Sequence, residues 1–183
     1  MGSQNSYLTV SGKSKELIWS LLGLVQSTSP LIPGSRQDRF VGGFCQQDLY
    51  LVVSVSPNLV EDEPTLSALS ENATVFFGQV YEGVNFSITG EWRNGEKRWT
   101  VEHGQLLATE ELTISGEPPA ILQDIIATID AKKKDTPEDA HYDFYFSVPV
   151  LLFKSLTGYS YERSPNFIDD GEAVVLFRPA RGA

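Results

Sequence analysis

One cysteine and two histidines are all the thiol and imidazole this 183-residue chain carries. The single thiol, Cys45, excludes a disulfide within the chain and a cysteine-rich metal site. It fits a reducing, cytoplasmic setting. It sits in Phe40-Val41-Gly42-Gly43-Phe44-Cys45, with no histidine nearby in sequence, which reads as a small core residue rather than a nucleophile. His103 and His141 lack the spacing of a metal pair. Asp169-Asp170-Gly171-Glu172 is too short for a calcium loop and reads as a solvated turn. No metal and no cofactor is expected.

Positive charge is also scarce. Fourteen Lys and Arg face 24 Asp and Glu, a net charge of −10. Nucleic-acid binding needs basic side chains to replace phosphate counterions, so direct contact with nucleic acid is not expected. A basic protein partner is permitted. The apolar run Leu17–Val25 is far too short to span a bilayer, and Glu16 stands where a signal peptide would not have it. Gly12-Lys13-Ser14 opens a helix after a strand. A phosphate loop would need a glycine at position 7, which is Tyr7. No G-x-S-x-G elbow is present, although a Ser-His-Asp site assembled in space would leave no local trace.

What the chain does hold is sheet-forming sequence. Asn94-Gly95 suits a type I′ turn, because both central residues tolerate positive φ. A two-residue loop sets a register in which Arg93 faces Glu96, Trp92 faces Lys97, Glu91 faces Arg98, Gly90 faces Trp99, Ile88 faces Val101 and Phe86 faces His103. Val84, Phe86, Ile88, Trp92, Trp99 and Val101 then share a buried face. Asn85, Ser87, Thr89, Glu91, Arg93, Glu96, Arg98, Thr100 and Glu102 share a wet one. His103 falls beside Phe86 on the apolar face. A lone histidine there is more often packed core than an acid–base group.

Strands are expected over Tyr7–Val10, Phe40–Cys45, Asp48–Val55, Thr74–Tyr81, Leu106–Ser115, His141–Phe153, Tyr159–Arg163 and Ala173–Arg178. Pro149 places the 141–153 strand at an edge or bulge. Helices are expected over Lys13–Gln26, with Ser11 as N-cap, over a short stretch from Glu61 to Ser70, and over Pro118–Lys133. In the last, Ile121, Leu122, Ile125, Ile126 and Ile129 form the core stripe, and the lysines at 132–134 complement the dipole. The expected fold class is α+β. It is a single domain over 1–183, with residues 1–6 a flexible lead-in. Its mainly antiparallel twisted sheet carries two longer amphipathic helices on one face.

Function is less constrained. Strong acidity without a catalytic signature points first to a non-catalytic acidic binding protein, of the inhibitor or immunity type, that neutralises a basic protein. Its candidate contacts are Glu61, Asp62, Glu63, Glu110, Glu111, Glu138, Asp139, Asp169, Asp170 and Glu172. The alternative is a small-ligand binder or enzyme with a pocket between sheet and helices. Trp92, Trp99, Phe144 and Phe146 would line it, and Trp92, Trp99, His103 and Tyr145 are its candidate contacts. A third reading is a subunit or adaptor, including a homodimer formed through a sheet edge.

Overall fold

The computed structural model describes residues 4–27, 39–46, 48–54, 58–104, 112–137, 143–162 and 174–178. Among the described residues, nine strands form a single sheet: β1 (Gln4–Ser11), β2 (Val25–Gln26), β3 (Arg39–Gln46), β4 (Leu49–Ser54), β5 (Thr74–Tyr81), β6 (Phe86–Arg93), β7 (Glu96–His103), β8 (Thr113–Gly116) and β9 (Val174–Phe177). Their order is β2-β9-β3-β4-β1-β5-β6-β7-β8, and every neighbouring pair is antiparallel. β1 starts at Gln4, so residues 4–6, expected in a flexible lead-in, belong to a strand.

Helices cover both faces. α1 (Lys15–Leu22), α2 (Asn58–Glu61) and α3 (Glu63–Ser70) pack on one side, where Leu8, Val52, Val75, Phe77 and Trp92 meet Ile18, Leu59 and Leu66. α4 (Ile121–Lys134) and α5 (Ser147–Thr157) pack on the other, where Trp99 and Val101 meet Leu122, Ile125, Val148 and Leu152. The two longest helices thus share one face of an antiparallel sheet in an α+β fold. The second of them is α5, not the Lys13–Gln26 segment, which is shortened to α1 and lies on the opposite side. With both faces covered, the central strand β1 is buried continuously from Ser6 to Val10 instead of alternating.

Local chemistry explains the helix ends. Ser14, not Ser11, caps α1 by accepting from Leu17 N at 3.3 Å. Gly23 ends the helix at φ 66°, a left-handed conformation that glycine adopts without cost. Asp62 caps α3, with Pro64 in the first turn, where a missing N–H costs nothing.

Two further regions depart from the sequence expectations. Ser147–Thr157 is helical, so the 141–153 strand is not formed; residues 141 and 142 lie outside the described residues. Pro149 falls in the first turn of α5, and Val148, Leu152 and Phe153 are buried with helical spacing. After α5, Tyr159 has no regular structure and Tyr161 lies in a turn, so no strand forms over the described residues 159–162.

The second failure is the hairpin register. Asn94 and Gly95 do form the turn, at φ 54° and 81°. Arg93 pairs with Glu96 and Trp92 with Lys97, as expected, but Glu91 then pairs with Trp99. Arg98 is an extra residue, a β-bulge that moves everything beyond it by one. Gly90 pairs with Thr100, Thr89 with Val101, Ile88 with Glu102 and Ser87 with His103. Trp92 and Trp99 therefore lie on opposite faces, and the stretch expected to be wet, Ser87, Thr89 and Glu91, is buried under α5 and α4.

Candidate functional site

On the α1–α3 side, the helical cover is incomplete. α2 is a single turn, and α3 lies toward the Asn94-Gly95 end of the hairpin, where Ser67 Oγ donates to Gly95 O at 2.8 Å. The described residues leave open the opposite end of β5 and β6, where Tyr81 pairs with Phe86. A groove of about 730 Å³ lies there. Phe77, Gln79 and Tyr81 from β5 and Phe86 and Ile88 from β6 line it on the sheet side. Val60 and Glu61 of α2 and Val84, in the 3-10 turn Glu82–Val84, complete the described lining. Gln79 and Phe77 are buried, whereas Tyr81 and Val84 are exposed. The volume falls within the range of small-molecule sites.

The acidic run beside the groove divides by role. Asp62 accepts from Thr65 N at 3.3 Å and from Thr65 Oγ1 at 2.7 Å. Glu63 forms an ion pair with Lys97. Glu61 faces the groove instead. The other acidic candidates, Glu110, Glu111, Glu138, Asp139, Asp169, Asp170 and Glu172, lie outside the described residues.

The four ligand-contact candidates do not converge. Trp92 is buried on the α1–α3 side beneath the Lys97 ammonium, 5.5 Å from its ring centroid. Trp99 is buried on the other side and donates from Nε1 to Glu91 Oε2 at 2.6 Å. Tyr145 donates its hydroxyl to Asp130 Oδ1 at 2.7 Å and carries Lys133 over its ring, which ties α4 to the start of α5. Phe144 packs in the same cluster as Trp99, and Phe146 in the one around Tyr7, so the space expected as a pocket is occupied by helices.

His103 is 2% exposed, and its Nε2 lies 2.7 Å from Asp143 Oδ2. Asn85 also donates to Asp143 Oδ2, while Oδ1 accepts from Tyr145 N and Phe146 N. Asp143 thus caps the turn that leads into α5. Ser87 stands opposite His103 in the register. These are the residue types of a Ser-His-Asp relay without its connectivity. Ser87 Oγ donates to Phe146 O at 2.7 Å, and His103 Nδ1 has no hydrogen-bond partner among the described residues. A relay requires the imidazole to bridge serine and carboxylate. This group is a buried polar latch between the sheet and α5.

Cys45 is half-buried and its thiol donates weakly to Leu49 O at 3.4 Å. Burial pushes the thiol up to about 11. Burial likewise raises Tyr7, Tyr50 and Tyr159. No group of three or more His, Cys, Asp or Glu among the described residues is arranged to hold a metal ion. No described helix is long and apolar enough to cross a membrane.

Sequence reasoning missed the groove. Its residues come from four elements, and each reads locally as strand filler or helix start. Compared with known proteins, the chain matches no family model, no curated protein and no solved structure.

Proposed function

We propose that this chain is a non-catalytic ligand-binding protein whose site is the groove between α2 and the open end of the β5–β6 pair. The observation that carries the reading is the groove itself, about 730 Å³ and floored by Phe77, Phe86 and Ile88. Apolar walls with a few polar groups are what small-molecule sites are made of. The polar residues of the described lining are Gln79, Glu61 and Tyr81. A carboxylate with no imidazole or second carboxylate beside it among the described lining supports binding rather than proton transfer.

The rival reading, an acidic surface that neutralises a basic protein, draws less support from the described residues. Two of its three described candidates, Asp62 and Glu63, are engaged in internal contacts.

The test is saturable binding of an uncharged fluorescent probe, N-phenyl-1-naphthylamine. The wild-type chain should bind it. Val84→Gln and Tyr81→Gln, both at exposed positions, should weaken it about three- to tenfold through lost apolar contact. No saturable binding, or binding by both variants as tight as that of the wild-type chain, would remove the reading.

A further inference from the structure

We infer that the groove selects a cationic amphiphile, an apolar chain or ring system bearing an ammonium or guanidinium group, with Glu61 as its counter-ion. The inference rests on the groove reading above and adds the sign of the ligand's charge.

Three observations carry it. Of the consecutive acids Glu61, Asp62 and Glu63, Asp62 is spent on capping α3 and Glu63 on Lys97, while Glu61 lines the groove. No lysine, arginine or histidine is among the described lining residues, so an anionic head group would meet a carboxylate and find no counter-charge. The whole chain carries −10, which raises the local concentration of cations and lowers that of anions at any site on it.

The groove's geometry divides the ligand's two parts. Phe77 lies at the buried floor and accepts the apolar portion. Gln79, on the same face of β5, supplies an amide that both donates and accepts. Tyr81 is exposed at the open end, and the face of its ring offers a second attraction for a cation. Glu61 is itself exposed, so its pairing is partly screened by solvent. It therefore acts on selectivity more than on total affinity.

Displacement of N-phenyl-1-naphthylamine by three eight-carbon compounds, octylammonium, octanoate and 1-octanol, separates the two levels of the proposal. At low ionic strength, octylammonium should displace the probe at about three- to tenfold lower concentration than octanoate, with 1-octanol between them. Glu61→Gln should remove most of that gap without changing 1-octanol, and Glu61→Lys should reverse the order. Glu61 is exposed, so neither substitution disturbs the core. Octanoate displacing as well as octylammonium, or a gap that survives Glu61→Gln, would overturn the charge selectivity and leave the groove standing. A probe that never binds would overturn both.

Discussion

His103 and Asp143, forty residues apart in the chain, meet at 2.7 Å across the boundary between β7 and the start of α5. The same carboxylate holds the Asn85 amide and two backbone N–H groups at the head of α5. Asp143→Ala would strip all four partners at once and leave both nitrogens of a 2%-exposed imidazole unpaired. The expected loss is about 2–4 kcal/mol in urea unfolding, from the lost cap and the orphaned ring together. Asp143→Asn keeps an acceptor and should cost markedly less. An alanine variant with wild-type stability would show that α5 is held by packing alone.

Cys45 gives the chain a pH dependence with a fixed sign. Its thiol in the folded protein is pushed up from near 9 to about 11 by burial. Between those values the folded state keeps a proton that the unfolded state has released. The contribution is complete below the unfolded value and is lost as pH rises toward the folded one. The raised Tyr7, Tyr50 and Tyr159 act in the same direction. Stability measured by denaturant should therefore fall steadily above about pH 9, and Cys45→Ala should flatten the first part of that fall. Iodoacetamide should also modify native Cys45 far more slowly than the urea-unfolded thiol. Equal rates would contradict the burial argument.

The hairpin and α5 illustrate what the sequence does and does not disclose. Asn94-Gly95 is legible because only a few residue types tolerate positive φ at both positions of the turn. The bulge at Arg98 is not, because a charged residue in a polar run gives no sign that it is supernumerary. Nor does Ser87-Ile88-Thr89-Gly90-Glu91 announce that its polar members are buried. Glu91 goes inside because Trp99 Nε1 and the Arg93 guanidinium meet its carboxylate there. α5 was hidden by an accident of spacing. Phe144, Phe146, Val148 and Val150 alternate like a strand, and only Leu152, Phe153 and Leu156 restore the helical period. The groove is a consequence of where α2 stops relative to β5, and that tertiary placement has no local signature.

Gly78 tests how tightly the sheet meets α5. Tyr7 on β1 lies across it, and a Cβ built at position 78 would sit 2.2 Å from Tyr7 Cε2. Tyr7 has nowhere to retreat. Its ring packs edge-on against Phe153 at 4.6 Å and Tyr159 at 5.4 Å, and it is 2% exposed. Gly78→Ala should cost about 1–3 kcal/mol through overpacking. The paired variant Gly78→Ala with Tyr7→Leu should recover part of that loss by making room. A Gly78→Ala protein as stable as wild type would mean that the Tyr7 ring is free to move away from β5.

Arg98 separates the role of a side chain from the role of a position. Its guanidinium is exposed and pairs with Glu96 at 3.1 Å, an interaction worth about 0–1 kcal/mol at a surface. Arg98→Ala should therefore be nearly silent. Deleting the residue removes the bulge but not the register: with position 98 gone, Lys97 still faces Trp92 and Trp99 comes directly opposite Glu91, so Trp99, Val101 and His103 keep their places against β6 and their side of the sheet. Trp99 should stay on Glu91 and His103 on Asp143, and the deletion should cost only the local twist that the bulge adds. Both variants should therefore unfold cooperatively with native tryptophan emission, the deletion at somewhat lower denaturant. A deletion that abolished the cooperative transition and shifted tryptophan emission toward that of solvent-exposed indole would show that the β6–β7 pair depends on the twist of the bulge and not on register alone.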